Sequence, residues 1–111
     1  MKIAVIGSRS IKRIELEAYL PKECKEIVSG GASGVDTLAA IYAKENGIKL
    51  TEMLPDYARY KRGAPLARNK KIVEYADEVL AFWDGRSRGT AFVVDYCKKC
   101  GKPCQVILLS E

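Results

Sequence analysis

Small residues that would let a ligand approach the backbone are concentrated in the stretch VSGGASGVDTLAA, residues 28–40. This stretch leads from an apolar run into a helical pattern, so its N–H groups and the positive end of the helix dipole would favour an anion. A tight turn that Ser33 caps would also use glycine here. Because three glycines in five residues exceed what one turn needs, the pattern favours contact with a phosphate or a sugar. The candidate ligand-binding residues of this loop are Ser29, Gly30, Gly31, Gly34 and Asp36.

Asp36 has two interpretations that the sequence leaves open. In the first turn of a helix, a carboxylate is stabilised by the helix dipole. The same carboxylate would also hydrogen-bond a ribose hydroxyl or a neighbouring loop. The loop itself lacks the GxGxxG spacing and the Lys-Ser or Lys-Thr pair of a P-loop. The sequence therefore does not favour an ordinary NAD dehydrogenase or an NTPase.

A second bare stretch, DGRSRGT, follows another apolar run and precedes another helix. Its candidate ligand-binding residues are Asp84, Gly85, Ser87, Gly89 and Thr90. A third loop, GSRS, contributes Gly7, Ser8 and Arg9. Two anion-binding helix starts at one edge of a sheet are a more specific signal than either alone. Each arginine taken separately is equally well explained as a surface residue.

Two polar residues near the start of a predicted third helix are further candidates. Asn69 shares one helical stripe with the apolar residues Leu66, Val73 and Ala76. Its amide should therefore point inward, where it needs hydrogen-bond partners. Arg68 beside it would be aimed at the glycine loops. We expect this pair to contact the ligand or to organise the loops around it.

The longest predicted irregular stretch, PDYARYKRGAP, places Tyr57 and Tyr60 among three cations. Aromatic faces beside cations suit a nucleobase with its phosphates, or single-stranded nucleic acid. An ordinary solvated loop with tyrosines packed at its base explains the same pattern. Tyr57 and Tyr60 are the base-stacking candidates, whereas Trp83 ends an apolar run and is better explained as a core residue.

Composition limits the chemistry that the chain can perform. The sequence has no histidine, which excludes Ser-His and Cys-His nucleophiles and the usual general base at neutral pH. A formal net charge of +5 suits a phosphate-bearing partner. Neither a secretory leader nor an apolar run long enough to span a membrane is found, so we expect a cytoplasmic protein without membrane contact.

Three cysteines crowd the C-terminal region, and their spacing is compatible with zinc or an iron–sulfur cluster. Since there is no histidine, zinc would need the distant Cys24 as a fourth ligand. Cys97 shares a helical stripe with apolar residues, and Cys104 opens an apolar run. The pattern favours cysteines in the core, and no metal site is predicted. A redox or metal role of Cys97, Cys100 and Cys104 stays open.

Apolar runs and helical patterns alternate along the chain. The predicted strands are residues 2–6, 26–29, 48–54, 78–83 and 103–109. The predicted helices are residues 11–18, 35–43 with a stop at Gly47, 65–75 and 90–99. This alternation predicts a Rossmann-like α/β fold: one domain over residues 1–111, with a doubly wound, parallel, five-stranded sheet and helices on both faces. Ligands of such sheets bind beyond the carboxyl ends of the strands, where the strand order reverses.

Several motifs in order resemble the SLOG superfamily, namely VSGGASGVDTLAA, ARNKKIVEYADEVLAFWDG, SRGT and GKPCQVI. That superfamily includes Smf/DprA proteins, the lonely guy phosphoribohydrolases and small YspA- or YpsA-related proteins. The chain resembles above all the YspA-related group, whose pattern includes GSR, SGGAxGVD, RN and AFWDGxSxGT. The resemblance implies a homodimer that binds a nucleoside monophosphate, ADP-ribose or NAD at the glycine loops, either as a sensor or as a nucleotide-processing protein.

The resemblance also implies two alternatives. Lonely guy enzymes carry PGGxGTxxE, whose glutamate assists cleavage of an N-glycosidic bond. Gly89 and Thr90 match this motif, whereas apolar residues stand where its acids would be. Because that reaction needs a carboxylate, Asp36 and Asp84 are the candidate catalytic residues. Resemblance to the Smf/DprA core implies instead a single-stranded DNA-binding protein, and a third hypothesis is a structural partner whose loops bind no ligand.

Overall fold

The predicted apolar runs form five strands in the computed structural model, which describes residues 1–109. The strands are β1 (Lys2–Gly7), β2 (Glu26–Ser29), β3 (Lys49–Glu52), β4 (Glu78–Trp83) and β5 (Cys104–Leu108). The helices are α1 (Val35–Glu45), α2 (Tyr57–Tyr60), α3 (Ala64–Tyr75) and α4 (Arg88–Cys100). All five strands pair in parallel in one sheet, in the order β3-β2-β1-β4-β5. The predicted Rossmann-like α/β fold is confirmed.

Alternate residues of the central strand β1 contribute to a separate core on each face of the sheet. Ile3 and Val5 pack in one core with Val35 of α1. Ala4 and Ile6 pack in the other core with buried residues of α3 and α4. Because helices cover both faces of a central parallel strand, its sequence is a continuous apolar run rather than an alternating one. The prediction of helices on both faces is confirmed.

The helix predicted between β1 and β2 does not form. This segment contains only a 3-10 turn, Leu16–Ala18. Ile11 and Leu16 are buried and pack in the same core as α1. A helix as short as this one, ending before Pro21, would be marginal on its own. Burial of two apolar side chains therefore decides the path of the chain, and the helix predicted from apolar spacing is wrong.

The stretch predicted to be irregular, residues 55–65, contains local structure. Asp56 caps the one-turn helix α2, since its Oδ1 accepts a hydrogen bond from the N–H of Arg59 at 3.2 Å. Such a cap satisfies a donor that the start of a helix leaves unpaired. A 3-10 turn, Lys61–Gly63, then leads into α3, which has Pro65 in its first turn as predicted. The prediction is wrong for α2 and right for the start of α3.

The other differences lie at the ends of elements. Strand β3 ends at Glu52, two residues earlier than predicted. Helix α4 begins at Arg88 rather than Thr90, because Ser87 caps it. Within residues 1–109, none of the helices combines the length and the apolar character that crossing a membrane would need.

Candidate functional site

A cleft opens at the carboxyl edge of the sheet, between the loops that follow β1 and β4. From β1 the chain adds β2 and β3 on one side, and then crosses to add β4 and β5 on the other. Loops that follow neighbouring strands diverge at such a point, which is where doubly wound sheets bind ligands. The cleft has a volume of about 380 Å³. Its lining is Ile6, Gly7, Arg9, Ser10, Ala32, Asp36, Pro65, Arg68, Asn69, Asp84, Ser87, Gly89 and Thr90.

The cleft contains nine of the predicted site residues and omits the others. Those that line it are Gly7, Arg9, Asp36, Arg68, Asn69, Asp84, Ser87, Gly89 and Thr90. Those that do not line it are Ser8, Ser29, Gly30, Gly31, Gly34, Gly85, Tyr57 and Tyr60. Sequence reasoning missed Ser10, Ala32, Pro65 and Ile6. Ser10 stands beside Arg9 in the predicted GSRS loop, so the signal for it was present.

Arg68 connects the loops that follow β2 and β3. Its Nη1 donates to the carbonyl oxygen of Gly30 at 2.7 Å and to that of Met53 at 3.3 Å. Burial lowers the pKa of Arg68, the charge of Asp36 opposes that shift, and repulsion from Arg9 adds to it. The guanidinium is therefore aimed at the first glycine loop, as predicted, and a second guanidinium lies close enough to repel it.

Asp36 is buried beside this arginine, at the start of α1. Its Oδ2 accepts a hydrogen bond from the N–H of Ala32 at 3.0 Å, which closes the glycine loop over the helix start. Burial raises the pKa of the Asp36 carboxyl above its usual value, although the Ala32 N–H and the charge of Arg68 both favour the carboxylate. The side chain thus organises its own loop while one face lines the cleft.

Neighbouring protein atoms leave little room for a side chain at two glycines of the first loop. A Cβ at Gly30 would lie 2.5 Å from Nη1 of Arg68. Gly34 has a φ of +74°, and a Cβ there would lie 2.6 Å from the Cα of Arg9. Gly34 is also the N-cap of α1, so Ser33 does not cap that helix. The bare sequence of this loop follows from close packing, and its contact with a ligand stays a prediction.

Asp84 organises the second glycine loop. Its Oδ2 accepts from the hydroxyl of Ser10 at 2.7 Å, and its Oδ1 accepts from the N–H groups of Arg86 and Ser87, each at 2.8 Å. These donors hold the pKa of Asp84 well below its usual value. The N–H of Asp84 donates in turn to Oγ of Ser8 at 3.1 Å, which ties the loops after β1 and β4 together.

The start of α4 presents donors to the cleft. Ser87 caps this helix, because its Oγ accepts from the N–H of Thr90 at 3.4 Å. Among residues 1–109, the N–H groups of Arg88 and Gly89 have no protein acceptor. Unpaired N–H groups in the first turn of a helix favour an anion. A Cβ at Gly89 would meet no atom within 4 Å, so the space in front of it is open.

Asn69 is buried as predicted, and its Oδ1 accepts a hydrogen bond from Nε of Arg68 at 2.8 Å. Leu66, predicted on the same buried stripe, is 43% exposed. Successive residues of a helix are rotated by about 100° around its axis. The centre of the buried face of α3 lies toward Ile72 and Ala76, so Leu66 lies at the edge of that face. The prediction that Asn69 points inward is confirmed, and the same prediction for Leu66 is wrong.

The base-stacking candidates lie outside the cleft. Tyr57 is 58% exposed on α2, near enough to Arg68 to affect its pKa. Arg59 and Lys71 lie over the ring of Tyr60, 5.3 and 5.6 Å from its centroid. Half-buried Trp83 donates from Nε1 to the carbonyl oxygen of Ser87 at 3.0 Å, which fixes the end of β4 against α4.

The three cysteines of the C-terminal region lie at or near the end of α4 that is opposite the cleft. Cys97 is buried in the core that includes α3 and α4, and Cys104 is half-buried against the same core. Burial is the main reason that the pKa of Cys97 is raised to about 12. Cys100 is exposed. In the part of the chain that the structure describes, no three acidic, cysteine or histidine side chains are grouped as metal ligands would be.

Comparison with solved structures finds the same fold in DNA processing protein A (DprA) from Streptococcus pneumoniae. The two structures superpose with a TM-score of 0.69 and 23% sequence identity. The match covers 98% of this chain and 50% of DprA, so this chain spans about half the length of that relative. No family model and no curated protein matches the sequence. The chain thus has the Rossmann-like fold that this part of DprA has, and kinship with the YspA-related proteins stays a prediction.

Proposed function

We propose that this protein binds a nucleotide or a nucleotide-derived ligand in the cleft at the carboxyl edge of its sheet. The ligand class includes nucleoside monophosphates, ADP-ribose and NAD, and the protein acts on it as a sensor or a processing protein. The observation that carries the proposal is the cleft at the reversal of strand order, with Arg9, Arg68 and the start of α4 in its wall. This combination is typical of sites for phosphorylated ligands in doubly wound sheets.

The charges and hydrogen bonds of the cleft support a ligand that brings negative charge. Arg9 and Arg68 both line the cleft, together with Asp36 and Asp84. The carboxyl groups of Asp36 and Asp84 already accept hydrogen bonds from the protein. The N–H groups of Arg88 and Gly89 have no acceptor within residues 1–109. An anion would accept hydrogen bonds from these donors and from the arginines.

Arg9 provides the sharpest test, because it is exposed and makes no hydrogen bond to another described residue. Thermal unfolding and calorimetric titration would be measured with AMP, ADP-ribose, NAD and a short single-stranded DNA. A ligand at a hundred times its dissociation constant should add about 2.7 kcal/mol of stability, which is a rise in Tm of roughly 10 °C or more. Arg9→Ala should weaken binding about tenfold or more and change the stability of the free protein by less than about 0.5 kcal/mol.

Arg13→Ala is the matched control, because Arg13 is exposed on the same segment and does not line the cleft. Arg68→Ala is a poorer test of binding. It removes hydrogen bonds to two carbonyl oxygens and to Oδ1 of Asn69, so we expect it to cost about 2 kcal/mol of stability even without ligand. Equal binding by the wild type, Arg9→Ala and Arg13→Ala would contradict the proposed site, and no binding of any nucleotide would contradict the proposed function.

Nucleic acid is the second candidate ligand. The neighbour in the structure comparison is named a DNA processing protein. Leu54 and Tyr57 are 69% and 58% exposed, and Arg59, Lys61 and Arg62 follow them on the surface. Aromatic and basic residues together suit single strands. Binding of DNA should then weaken steeply between 50 and about 200 mM salt, and Tyr57→Ala should weaken it, whereas binding of AMP should depend on salt much less.

Hydrolysis of an N-glycosidic bond is a further candidate function, because Asp36 and Asp84 line the same cleft in different environments. The pKa of Asp36 is raised and that of Asp84 is lowered, although both line one cleft. Environments that push two carboxyl pKa values apart are typical of acid–base pairs. Asp36 would protonate the leaving base as the N-glycosidic bond breaks, and Asp84 would stabilise the sugar cation. Water would then add to C1′ and return a proton to Asp36. Release of adenine and ribose 5-phosphate from AMP should then be lost in both Asp→Asn variants, and unchanged turnover would contradict these roles.

We also propose a homodimer, on the resemblance to the SLOG superfamily alone. Light scattering during gel filtration should then give about twice the mass of the 12.3 kDa chain. A mass that stays at that of one chain over the micromolar range would contradict the dimer without affecting the proposed ligand.

A further inference from the structure

The side-chain amide of Asn69 can adopt only one orientation in this cleft. Nε of Arg68 carries a hydrogen and can only donate, so the atom of Asn69 that faces it at 2.8 Å must be the oxygen Oδ1. The orientation of an amide is assigned from such a network. The –NH₂ group, Nδ2, is therefore turned away from Arg68, and it can offer hydrogens but cannot accept one.

Nδ2 is a donor that the protein leaves unused. Asn69 is only 9% exposed. Among residues 1–109, Nδ2 donates to no protein acceptor. Every side-chain nitrogen or oxygen of these residues that is fully buried has a hydrogen-bond partner, so Nδ2 is not fully buried. The residue lines the cleft. Nδ2 is therefore not sealed from solvent, and the cleft is the opening that Asn69 lines. Buried polar groups of this kind normally have a partner.

We propose that Asn69 determines which ligands the cleft accepts, by donating from Nδ2 to a ligand oxygen that carries no hydrogen. This inference rests on the proposed function, because the ligand is the nucleotide that the cleft binds. Arg68 acts as a positioning residue, since it holds the amide by Oδ1 and does not need to touch the ligand. A phosphoryl oxygen is the acceptor that we infer, because Arg9 lines the same cleft and the N–H of Gly89 has no acceptor among residues 1–109.

Exchange of one atom tests the donor. Asn69→Asp keeps an oxygen for Nε of Arg68 and places a second oxygen where Nδ2 was. The loops should therefore stay connected, whereas the new carboxylate should repel a phosphoryl oxygen. We expect the affinity for AMP or ADP-ribose to fall about 100-fold, as for a lost hydrogen bond to a charged group, with no fall in the Tm of the free protein. Asn46→Asp is the matched control, because Asn46 is exposed and donates to the carbonyl oxygen of Tyr42 outside the cleft.

A direct measurement does not depend on the variant. The sequence contains two asparagines and one glutamine, so only Asn46, Asn69 and Gln105 give side-chain amide pairs in a ¹⁵N spectrum. Titration of the wild type with AMP should move the Nδ2 resonances of Asn69 and leave those of Asn46 in place. Adenosine, which lacks the phosphate, should move them much less. Arg68→Lys keeps the charge but lacks Nε–H, so it should shift the Asn69 amide pair in the free protein, which a purely electrostatic role would not do.

The outcomes separate this inference from the proposed function. Movement of the Asn69 amide together with weaker binding by Asn69→Asp would support both. If AMP binds and moves the backbone resonance of Gly89, while Asn69→Asp binds as well as the wild type, the inference is overturned and the proposed function stands. If no probe binds to the wild type, the proposed function fails and the inference fails with it.

Discussion

The two glycine-rich loops have similar sequences and different reasons for them. In the loop after β2, Gly30 would contact Arg68 if it carried a Cβ, and Gly34 would contact the backbone of Arg9. In the loop after β4, a Cβ at Gly85 or Gly89 would meet nothing within 4 Å, and only Gly85 has a positive φ, +82°. Gly89 is thus unexplained by close packing, although it lies in the first turn of α4, and glycine favours a helix less than alanine does.

The difference shows that a bare backbone in a sequence has two physical origins. One is close packing against other protein atoms, and the other is open space that a ligand would use. The first loop is closed by a hydrogen bond from the N–H of Ala32 to Asp36 and by one from Arg68 to the carbonyl oxygen of Gly30. The second loop is held by Asp84 but leaves N–H groups free at the start of α4. The second loop contributes Ser87, Gly89 and Thr90 to the cleft, whereas the first contributes Ala32 and Asp36, so we propose that the phosphate of a ligand binds at the second loop.

The largest effect should come from filling the packed loop. Gly34→Ala would strain a φ of +74° and press a Cβ against Arg9 and the carbonyl oxygen of Ser8, 2.8 Å away. We expect a loss of about 3 kcal/mol in the free energy of unfolding, measured by urea denaturation. Gly47→Ala is the control, since its φ is +63° with nothing within 4 Å, and it should lose only about 1 kcal/mol. Equal losses in the two variants would contradict the conclusion that close packing explains the glycine at position 34.

A smaller effect of opposite sign is expected at the open loop. Gly89→Ala should raise the stability by about 0.5 kcal/mol, because alanine favours the helix and no atom obstructs its Cβ. The same methyl group would project into the cleft, so the affinity for AMP should fall. Gly63→Ala is the control, because Gly63 also has open space but does not line the cleft. A destabilised Gly89→Ala protein, or one that binds AMP as the wild type does, would contradict the proposal that a ligand uses the space beside Gly89.

The smallest expected effect is a pH dependence that differs in sign between the loops. The folded-state pKa of Asp84 is depressed, so its contribution to stability is present above the unfolded pKa and is lost as the pH falls through the folded value. The folded-state pKa of Asp36 is raised by burial, so its contribution is present at low pH and is lost as the pH rises through the folded value. Carboxyl ¹³C resonances measured against pH should therefore titrate below 3.8 for Asp84 and above it for Asp36. Titration in the reverse order would contradict the environments described for both acids.

Most of the fold followed from local patterns. Strand β4 has the predicted limits of residues 78–83, because a buried central strand leaves an uninterrupted apolar run between polar residues. The segment after β1 was predicted wrongly, since Ile11 and Leu16 are spaced for a core that the rest of the chain supplies. Spacing alone does not show whether apolar residues are brought to that core by a helix or by an irregular path.

The sequence by itself determined the order of the five strands, the carboxyl edge as the place of the candidate site, and most of the residues that line the cleft. Residue types and their periodicity carry that information because they act over a few neighbouring positions. Only the tertiary structure decided that the guanidinium of Arg68 donates to the carbonyl oxygen of Gly30, that the first loop is closed, and that Nδ2 of Asn69 has no acceptor among residues 1–109. These facts depend on hydrogen bonds between atoms that are far apart in the chain, so they exist only once the sheet has brought its loops together.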